Sequence, residues 1–327
     1  MLTRDEMIWG YRYVLGRDPE SRNTVESHMA QHADWRYFRE ALLDSAEFAQ
    51  IQSTRKLPSK WVISEIFGGT QMIWLDLADA FVSRGCLIDQ YEPVESAYVR
   101  ANLHEGNVFV DVGANIGWFT LLAASIVRDT GHVHAFEPRL PTADYLRRSV
   151  ALNAMQNIVT VHEAGLGDDT RDYHLGWQRG TTNPGSSCLV EPTLADGLET
   201  IPIRLITLDS LDLARVDLLK MDVEGAEMRA VYGARSTIDR HRPLIISELH
   251  PRQLVQVSGV TPKQFLQYFR SIGYEAFILD SVRGGEKLND FPRDWYKELL
   301  NVVLAPEEFR DRDRRLAAIG ESAALPA

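Results

Sequence analysis

The residues best equipped for chemistry stand at the ends of short apolar runs. Val108-Phe109-Val110-Asp111-Val112 leads into Gly113-Ala114-Asn115-Ile116-Gly117 and then directly into a helical stretch over residues 118–127. Glycines at a strand-to-helix turn let the backbone approach a ligand closely, because no Cβ stands between them. The start of the helix adds free N–H groups. Two classes of adenosine cofactor use such a turn. A dinucleotide asks for G-x-G-x-x-G, whose second glycine makes room for the pyrophosphate. Here Asn115 takes that position and the spacing is G-x-x-x-G. S-adenosylmethionine has no phosphate, and its amino-acid end can accept polar side chains in the same loop. The next apolar run, residues 132–136, ends in Glu137-Pro138, twenty residues after Gly117. A carboxylate there can accept hydrogen bonds from both ribose hydroxyls. NAD and S-adenosylmethionine share that ribose, so Glu137 argues for adenosine without choosing between them.

A second group of side chains suits proton transfer. The run over residues 216–221 is followed by Asp222 and Glu224, and the run over residues 243–247 by Glu248 and His250. Ligands of open α/β sheets gather at the carboxyl ends of strands, so these four converge on one pocket mouth. Lys220, Asp222 and Glu224 share a face of an extended chain. A hydroxyl that attacks carbon in line must be positioned and must lose its proton to a base within hydrogen-bond reach. Each of the four is a candidate base. The alternative for Glu224-Gly225-Ala226-Glu227 is a helix start whose acids the dipole favours, and for His250, before Pro251, a turn residue. A divalent metal on Asp222, Glu224, Glu248 and His250 is a further reading, since hard oxygen ligands suit magnesium, although the spacing matches no recognised metal motif. In the turn-rich residues 179–187, Asn183 and Ser187 could bond an acceptor. Trp177 could stack on a sugar face or fill a core.

Positioning these groups takes alternating strands and helices, the pattern of βα units in a mostly parallel sheet. A third strand is expected at residues 158–162. Residues 274–279 and 299–304 supply a final antiparallel pair, after a helix that Thr261-Pro262 opens and Gly273 ends. Residues 1–55 show helical patterns alone. Thr3 and Glu6 form a capping box, Asp18-Pro19 offers a second helix start, and Trp35, Phe38 and Leu42 share a face. A bundle this small is expected to dock on the larger domain, on a protein partner or on a second copy. The expected organisation is thus a helical module over 1–55, a linker and lead-in over 56–106 with the linker at 56–60, the catalytic domain over 107–305, and a tail over 306–327.

Bulk composition narrows the partners. The net charge of −11 lacks the positive footprint that nucleic acid or an anionic membrane demands. Cys86 and Cys188 stand alone, with no C-x-x-C, which fits a reducing cytoplasm. The acidic start resembles no signal peptide, and no apolar run is long enough to span a membrane.

Tyr91-Glu92-Pro93, Phe109-Val110-Asp111-Val112-Gly113-Ala114-Asn115-Ile116-Gly117, Ala135-Phe136-Glu137-Pro138, Leu152-Asn153, Leu208-Asp209-Ser210-Leu211 and Leu218-Leu219-Lys220-Met221-Asp222-Val223-Glu224-Gly225-Ala226-Glu227 resemble, in order and spacing, the FkbM family of methyltransferases. The resemblance covers residues 70–305, and its most specific element is the run from Lys220 to Glu227. It implies an α/β fold of class I methyltransferase (Rossmann-like) type, a seven-stranded doubly wound sheet beside the small all-α module. It also implies S-adenosylmethionine as cofactor and O-methylation of a saccharide or natural-product hydroxyl. Glu92, Asp111, Gly113, Asn115, Gly117 and Glu137 carry over as cofactor contacts. Asp168 is placed at the adenine, with Glu163 competing for that role. Tyr13-Val14-Leu15-Gly16-Arg17-Asp18-Pro19 with Ser45-Ala46-Glu47-Phe48 resembles a helical module related to phycobilisome-linker repeats, which accompanies bacterial surface-polysaccharide enzymes. Two other functions remain open, an NAD-dependent oxidoreductase and a non-catalytic adenosine-binding scaffold.

Overall fold

A computed structural model describes residues 2–15, 17–32, 34–43, 45–48, 61–179, 181, 184–191, 197–280, 285–289 and 299–308. The expected linker at 56–60, Asn183, and the tail beyond Glu308 lie outside the described residues.

Three short helices open the chain: α1 (Arg4–Gly10), continued by a π-helical turn at Tyr11–Leu15, then α2 (Arg22–Gln31) and α3 (Trp35–Leu43). The capping box forms, with Thr3 Oγ1 accepting from the Glu6 N–H and the Glu6 carboxylate accepting from the Thr3 N–H. Asp18-Pro19 starts no helix. Ser21 caps α2 instead, accepting from the Thr24 N–H at 3.2 Å, because Asp18 is engaged by Arg12. Met7, Tyr11, Val25, Phe38 and Leu42 close a small core, while Trp35 stays 37% exposed. The bundle docks on the larger domain. Arg39 donates to the Leu87 carbonyl at 3.2 Å, Arg84 donates to the Leu43 carbonyl, and Ile88 packs on the bundle's core.

A hairpin, β1 (Trp61–Ile66) and β2 (Gln71–Asp76), leads through α4 (Val82–Leu87) and α5 (Pro93–Asn102) into the sheet. There follow β3 (Val108–Val112), α6 (Trp118–Val127), β4 (His132–Phe136), α7 (Leu140–Leu152) and β5 (Val159–His162). Next come the short strands β6 (Gly165–Leu166), β7 (Arg171–Gln178), β8 (Cys188–Val190) and β9 (Leu198–Ile206). The chain closes with β10 (Leu218–Met221), α8 (Glu227–Tyr232), α9 (Arg235–His241), β11 (Leu244–Leu249), α10 (Pro251–Ser258), α11 (Pro262–Ser271), β12 (Tyr274–Ile278) and β13 (Leu300–Pro306).

Seven strands form the main sheet in the order β5-β4-β3-β10-β11-β13-β12, and β13 alone runs antiparallel to its neighbours. This is the mixed α/β class I sheet implied by the resemblance. Its parallel strands are buried on both faces. Phe109, Val133, Ala135 and Leu218 meet α6 and α7, while Val110, Phe136, Leu219 and Ile245 meet α8, α10 and α11. The strand order reverses between β3 and β10, and a ligand crevice opens at such a switch point. No described helix is long and apolar enough to cross a membrane.

The segment between β5 and β10, expected as turn-rich over residues 179–187, is largely a second sheet of order β6-β9-β7-β8. Its signal was the period-two alternation of Tyr173 and Leu175 against Ile201, Ile203 and Leu205, which bury a core of their own. Trp177 lies on β7, its indole donating to Glu199 Oε2 at 2.9 Å and Arg139 stacked 5.2 Å from the ring centroid.

Two motif residues prove structural. Asn153 exchanges hydrogen bonds with the Met72 backbone at 2.9 and 2.6 Å, fastening the hairpin to the end of α7. Asp209 accepts from the Ser236 and Thr237 N–H groups at 3.0 and 2.8 Å, satisfying the start of α9 from outside the helix. Loss of such a cap costs about 1–2 kcal/mol. Asp209→Ala is therefore expected to lower the urea midpoint by about 0.5–1 M, that energy divided by a slope of about 2 kcal/mol per M, with the slope unchanged, measured by circular dichroism; an unmoved midpoint would refute the capping role.

Candidate active site

The glycine turn is shaped by what it passes. Gly113 has φ +85°, and a Cβ there would stand 2.0 Å from the Asp222 carbonyl oxygen, so only glycine lets the end of β3 cross the end of β10. Asn115, at φ +50°, holds a left-handed conformation costly for a residue with a side chain. Glu137 keeps it there. Its Oε2 accepts from the Asn115 N–H at 3.0 Å, and its Oε1 accepts from the Arg139 N–H at 2.9 Å. Asp111 is 1% exposed and accepts from Thr120 Oγ1 at 2.6 Å, so it struts β3 against α6 beneath the turn.

A cavity of about 320 Å³ opens over the carboxyl ends of β3, β4, β10 and β11. Glu92, Asp111, Gly113, Asn115, Gly117 and Glu137 line it on one part, and Asp222, Glu224 and Glu248 on another. Nine of the eleven expected site residues thus meet in one place. Two do not. His250 stands before α10, its Nδ1 accepting from the Gln253 N–H at 3.3 Å, so the ring is spent as a helix cap. Asp168 is held outside by Arg171 at 3.2 Å and Arg229 at 3.6 Å, and the competing Glu163 pairs with Arg147. Ser187 reaches the lining. So do Trp61, Asp76, Asp79 and Phe81, supplied by the hairpin and the approach to α4. The sequence reading missed these four because they precede the sheet by a whole lead-in segment; the aromatic and acidic spacing over residues 76–81 was the one available cue.

One buried cation serves this wall. Lys220 Nζ lies 3.1 Å from Asp222 Oδ2, 3.7 Å from Glu92 Oε2 and 4.4 Å from the centre of the Phe119 ring. Burial pushes its ammonium down, but Asp222, Glu92 and Asp111 outweigh burial and hold it above the ordinary lysine value. The carboxylates move upward. Burial raises Glu92, and Lys220 offsets part of the rise. Burial lifts Glu137 to about 7, and burial with Asp222 lifts Glu224 to about 7 against the hydrogen bond from Gln253. Glu248 rises furthest, from burial and then from Asp222, Glu224 and Glu227.

The turn that presents these acids is strained. Glu224 has φ +52° and Gly225 φ +94°. Glu227, expected as a helix-start acid, is 1% exposed and its Oε1 accepts from the Gly225 and Val223 N–H groups at 3.1 and 3.3 Å, so it braces the turn from behind. Burial lifts Glu227 to about 8. Among the described residues no group of three or more His, Cys, Asp or Glu is arranged to hold a metal ion.

These raised values link stability to pH. For Glu137, Glu224 and Glu227 the folded value lies above the unfolded one, near 4.3. Their stabilising contribution is full below that pH and is lost as pH rises through about 7 to 8. His134, lowered to about 4 by burial, acts in the opposite sense, but its effect is complete above about 6.5. The ligand-free protein is expected to lose roughly 2–5 °C of melting temperature between about pH 6.5 and 8.5, and Glu227→Gln to flatten that slope; a melting temperature that rises over this window in scanning calorimetry would contradict the assignment.

Comparison with known proteins finds methyltransferases. The model of the methyltransferase FkbM domain matches residues 111–276. The antimetabolite synthetase AmbE of Pseudomonas aeruginosa is 28% identical over 340 residues, covering 90% of this chain but only 15% of that protein's length. Methyltransferase 1 of Beauveria bassiana is 29% identical over 174 residues, 46% of this chain and 67% of that protein. A crystal structure of an FkbM methyltransferase from Methylobacillus flagellatus aligns with a TM-score of 0.41 at 14% identity, over 91% of this chain and 58% of that one. The family match runs from Asp111 through the glycine turn, Glu137 and the strand ends that carry Asp222 and Glu248, and the chain belongs to the FkbM family of methyltransferases.

Proposed function

We propose that the protein methylates a hydroxyl of a saccharide or natural-product acceptor, with S-adenosylmethionine as the donor. The observation that carries this reading is a single cavity lined both by the glycine turn with Glu137 and by the carboxylates of β10 and β11. The residues fit the cofactor. Gly113 lets the turn pass the Asp222 carbonyl and reach the cavity lining, and each Glu137 oxygen, though already accepting one N–H, keeps a lone pair for a ribose hydroxyl. Bound S-adenosylmethionine supplies a methyl group on a cationic sulfur. The protein's part is to hold the acceptor oxygen in line and to take its proton.

Glu224 is the base in this proposal. Its value near 7 suits a group that must accept a proton at neutral pH, and Gln253 Nε2 fixes it with a 2.6 Å hydrogen bond. Asp222 is engaged by Lys220, and Glu248 is raised too far to be ionised readily. Trp61, Phe81 and Ser187 on the cavity wall suit an acceptor with both hydroxyls and apolar faces. Buried Cys86 and half-buried Cys188 are both free thiols, which supports a reducing, cytoplasmic setting.

Calorimetric titration with S-adenosylmethionine, S-adenosylhomocysteine and NAD tests the cofactor. Micromolar binding of the first two is expected, weakened about 100-fold by Glu137→Ala through loss of two charge-assisted hydrogen bonds. Binding of NAD alone would make the chain an oxidoreductase; binding of none would leave the scaffold. With a hydroxyl acceptor and saturating donor, Glu224→Gln is expected to lower turnover about 100-fold or more and to remove an acid limb near pH 7. His250→Ala is expected to retain turnover within about twofold, since its ring only caps a helix. The reverse pattern would move the base role to His250.

A further inference from the structure

The two forms of the proposed cofactor differ at one atom. The donor carries a sulfonium, whereas the spent product is a neutral thioether. The adenosine and amino-acid ends are common to both, so contacts from Gly113, Asn115 and Glu137 hold the two forms alike and give no preference. Any discrimination must come from groups that read charge at the sulfur.

The cavity is short of positive charge. Lys220 and Arg139 are the cations among its described lining residues. Lys220 is shared between Asp222 and Glu92, and Arg139 is stacked on Trp177. Asp111 and Glu137 have hydroxyl or backbone donors. Glu224 receives a single hydrogen bond among the described residues, from Gln253. Among the described residues no donor reaches the Glu248 carboxylate, although it lines the cavity. Behind them Glu227 is 1% exposed, and among the described residues its Oε2 has no hydrogen-bond partner. Glu248 therefore faces Lys220 and Asp222 from β10 and its end, and Glu224 and Glu227 from the turn and α8. This wall holds more carboxyl groups than its cations can keep ionised.

Resting on the cofactor reading above, we propose that Asp222, Glu224 and Glu248 make the cavity selective for the cationic donor over its neutral product, so that loss of the methyl group itself weakens the hold on the spent cofactor. A positive charge a few ångströms from a partly buried carboxylate is attracted far more strongly than in water. The same attraction favours the ionised carboxylates, so uptake of the donor expels protons that uptake of the thioether leaves in place.

The test is isothermal titration of the full chain with S-adenosylmethionine and with S-adenosylhomocysteine, each in two buffers of different ionisation enthalpy at neutral pH. The wild type is expected to bind the donor about tenfold or more tightly than the thioether, with proton release for the donor alone. Glu224→Gln with Glu248→Gln is expected to bring the two affinities within about twofold of each other, chiefly by weakening the donor. Equal affinities in the wild type, tighter binding of the thioether, or a preference that survives in the double variant would each overturn the inference while leaving the cofactor reading intact. Binding of neither ligand by the folded wild type would refute both. If the double variant does not fold, the wild-type proton count decides, and equal proton release by the two ligands refutes the charge-reading role.

Discussion

At the switch point of the sheet, the turn leaving β3 crosses the end of β10 so closely that the Asp222 carbonyl oxygen occupies the space a side chain at residue 113 would need. That crossing sets two things together. It brings the backbone of the glycine turn to the floor of the cavity, and it brings the acid-bearing turn after β10 to the cavity's wall. Glu137 locks the arrangement by taking the Asn115 N–H, which pins a left-handed residue between β3 and α6. The site is thus preorganised by backbone contacts, and its side chains are set on strand ends rather than on free loops.

Placing several carboxylates on one half-buried wall is unfavourable for folding, because ions removed from water lose solvation that neighbours of like sign cannot replace. The structure limits the cost with one buried lysine, with backbone N–H groups aimed at Glu137 and Glu227, and with upward-shifted carboxyl groups that can remain protonated. The strain at Glu224 and Gly225 is carried in the same turn and braced by Glu227 from within the core. Crowding, strain and incomplete hydrogen bonding coincide here and not in the hydrophobic layers on either side of the sheet. Strain and crowding of this kind cluster at functional sites, which supports the proposed active site.

The remaining elements act as walls and fasteners. The hairpin closes one side of the cavity and is tied to α7 through Asn153; the four-stranded sheet after β5 closes another with Leu175 and Leu189. The helical bundle seats on α4, next to the segment that supplies Asp79 and Phe81.

Local pattern decided much of this from the sequence. The order of strands and helices of the main sheet, the glycine turn, Glu137, and the pairing of acids at the ends of β10 and β11 all follow from periodicity and from the backbone freedom of glycine, which are properties of near neighbours. The capping box at Thr3 was legible for the same reason. What local pattern could not decide was competition for side chains. Asp18 would suit a helix start, but Arg12 claims it; His250 lies at a strand end, yet the helix after it takes the ring; Asp168 follows the third strand but two arginines hold it outside. Likewise Asn153 and Asp209 belong to the motifs that carry the family resemblance and serve as fasteners between distant segments. Which wall the hairpin forms, and how far burial and neighbouring charges lift Glu224 and Glu248, depend on groups far apart in the chain. Those were settled only when the fold brought them together, because electrostatic and packing energies depend on distance in space and not along the sequence.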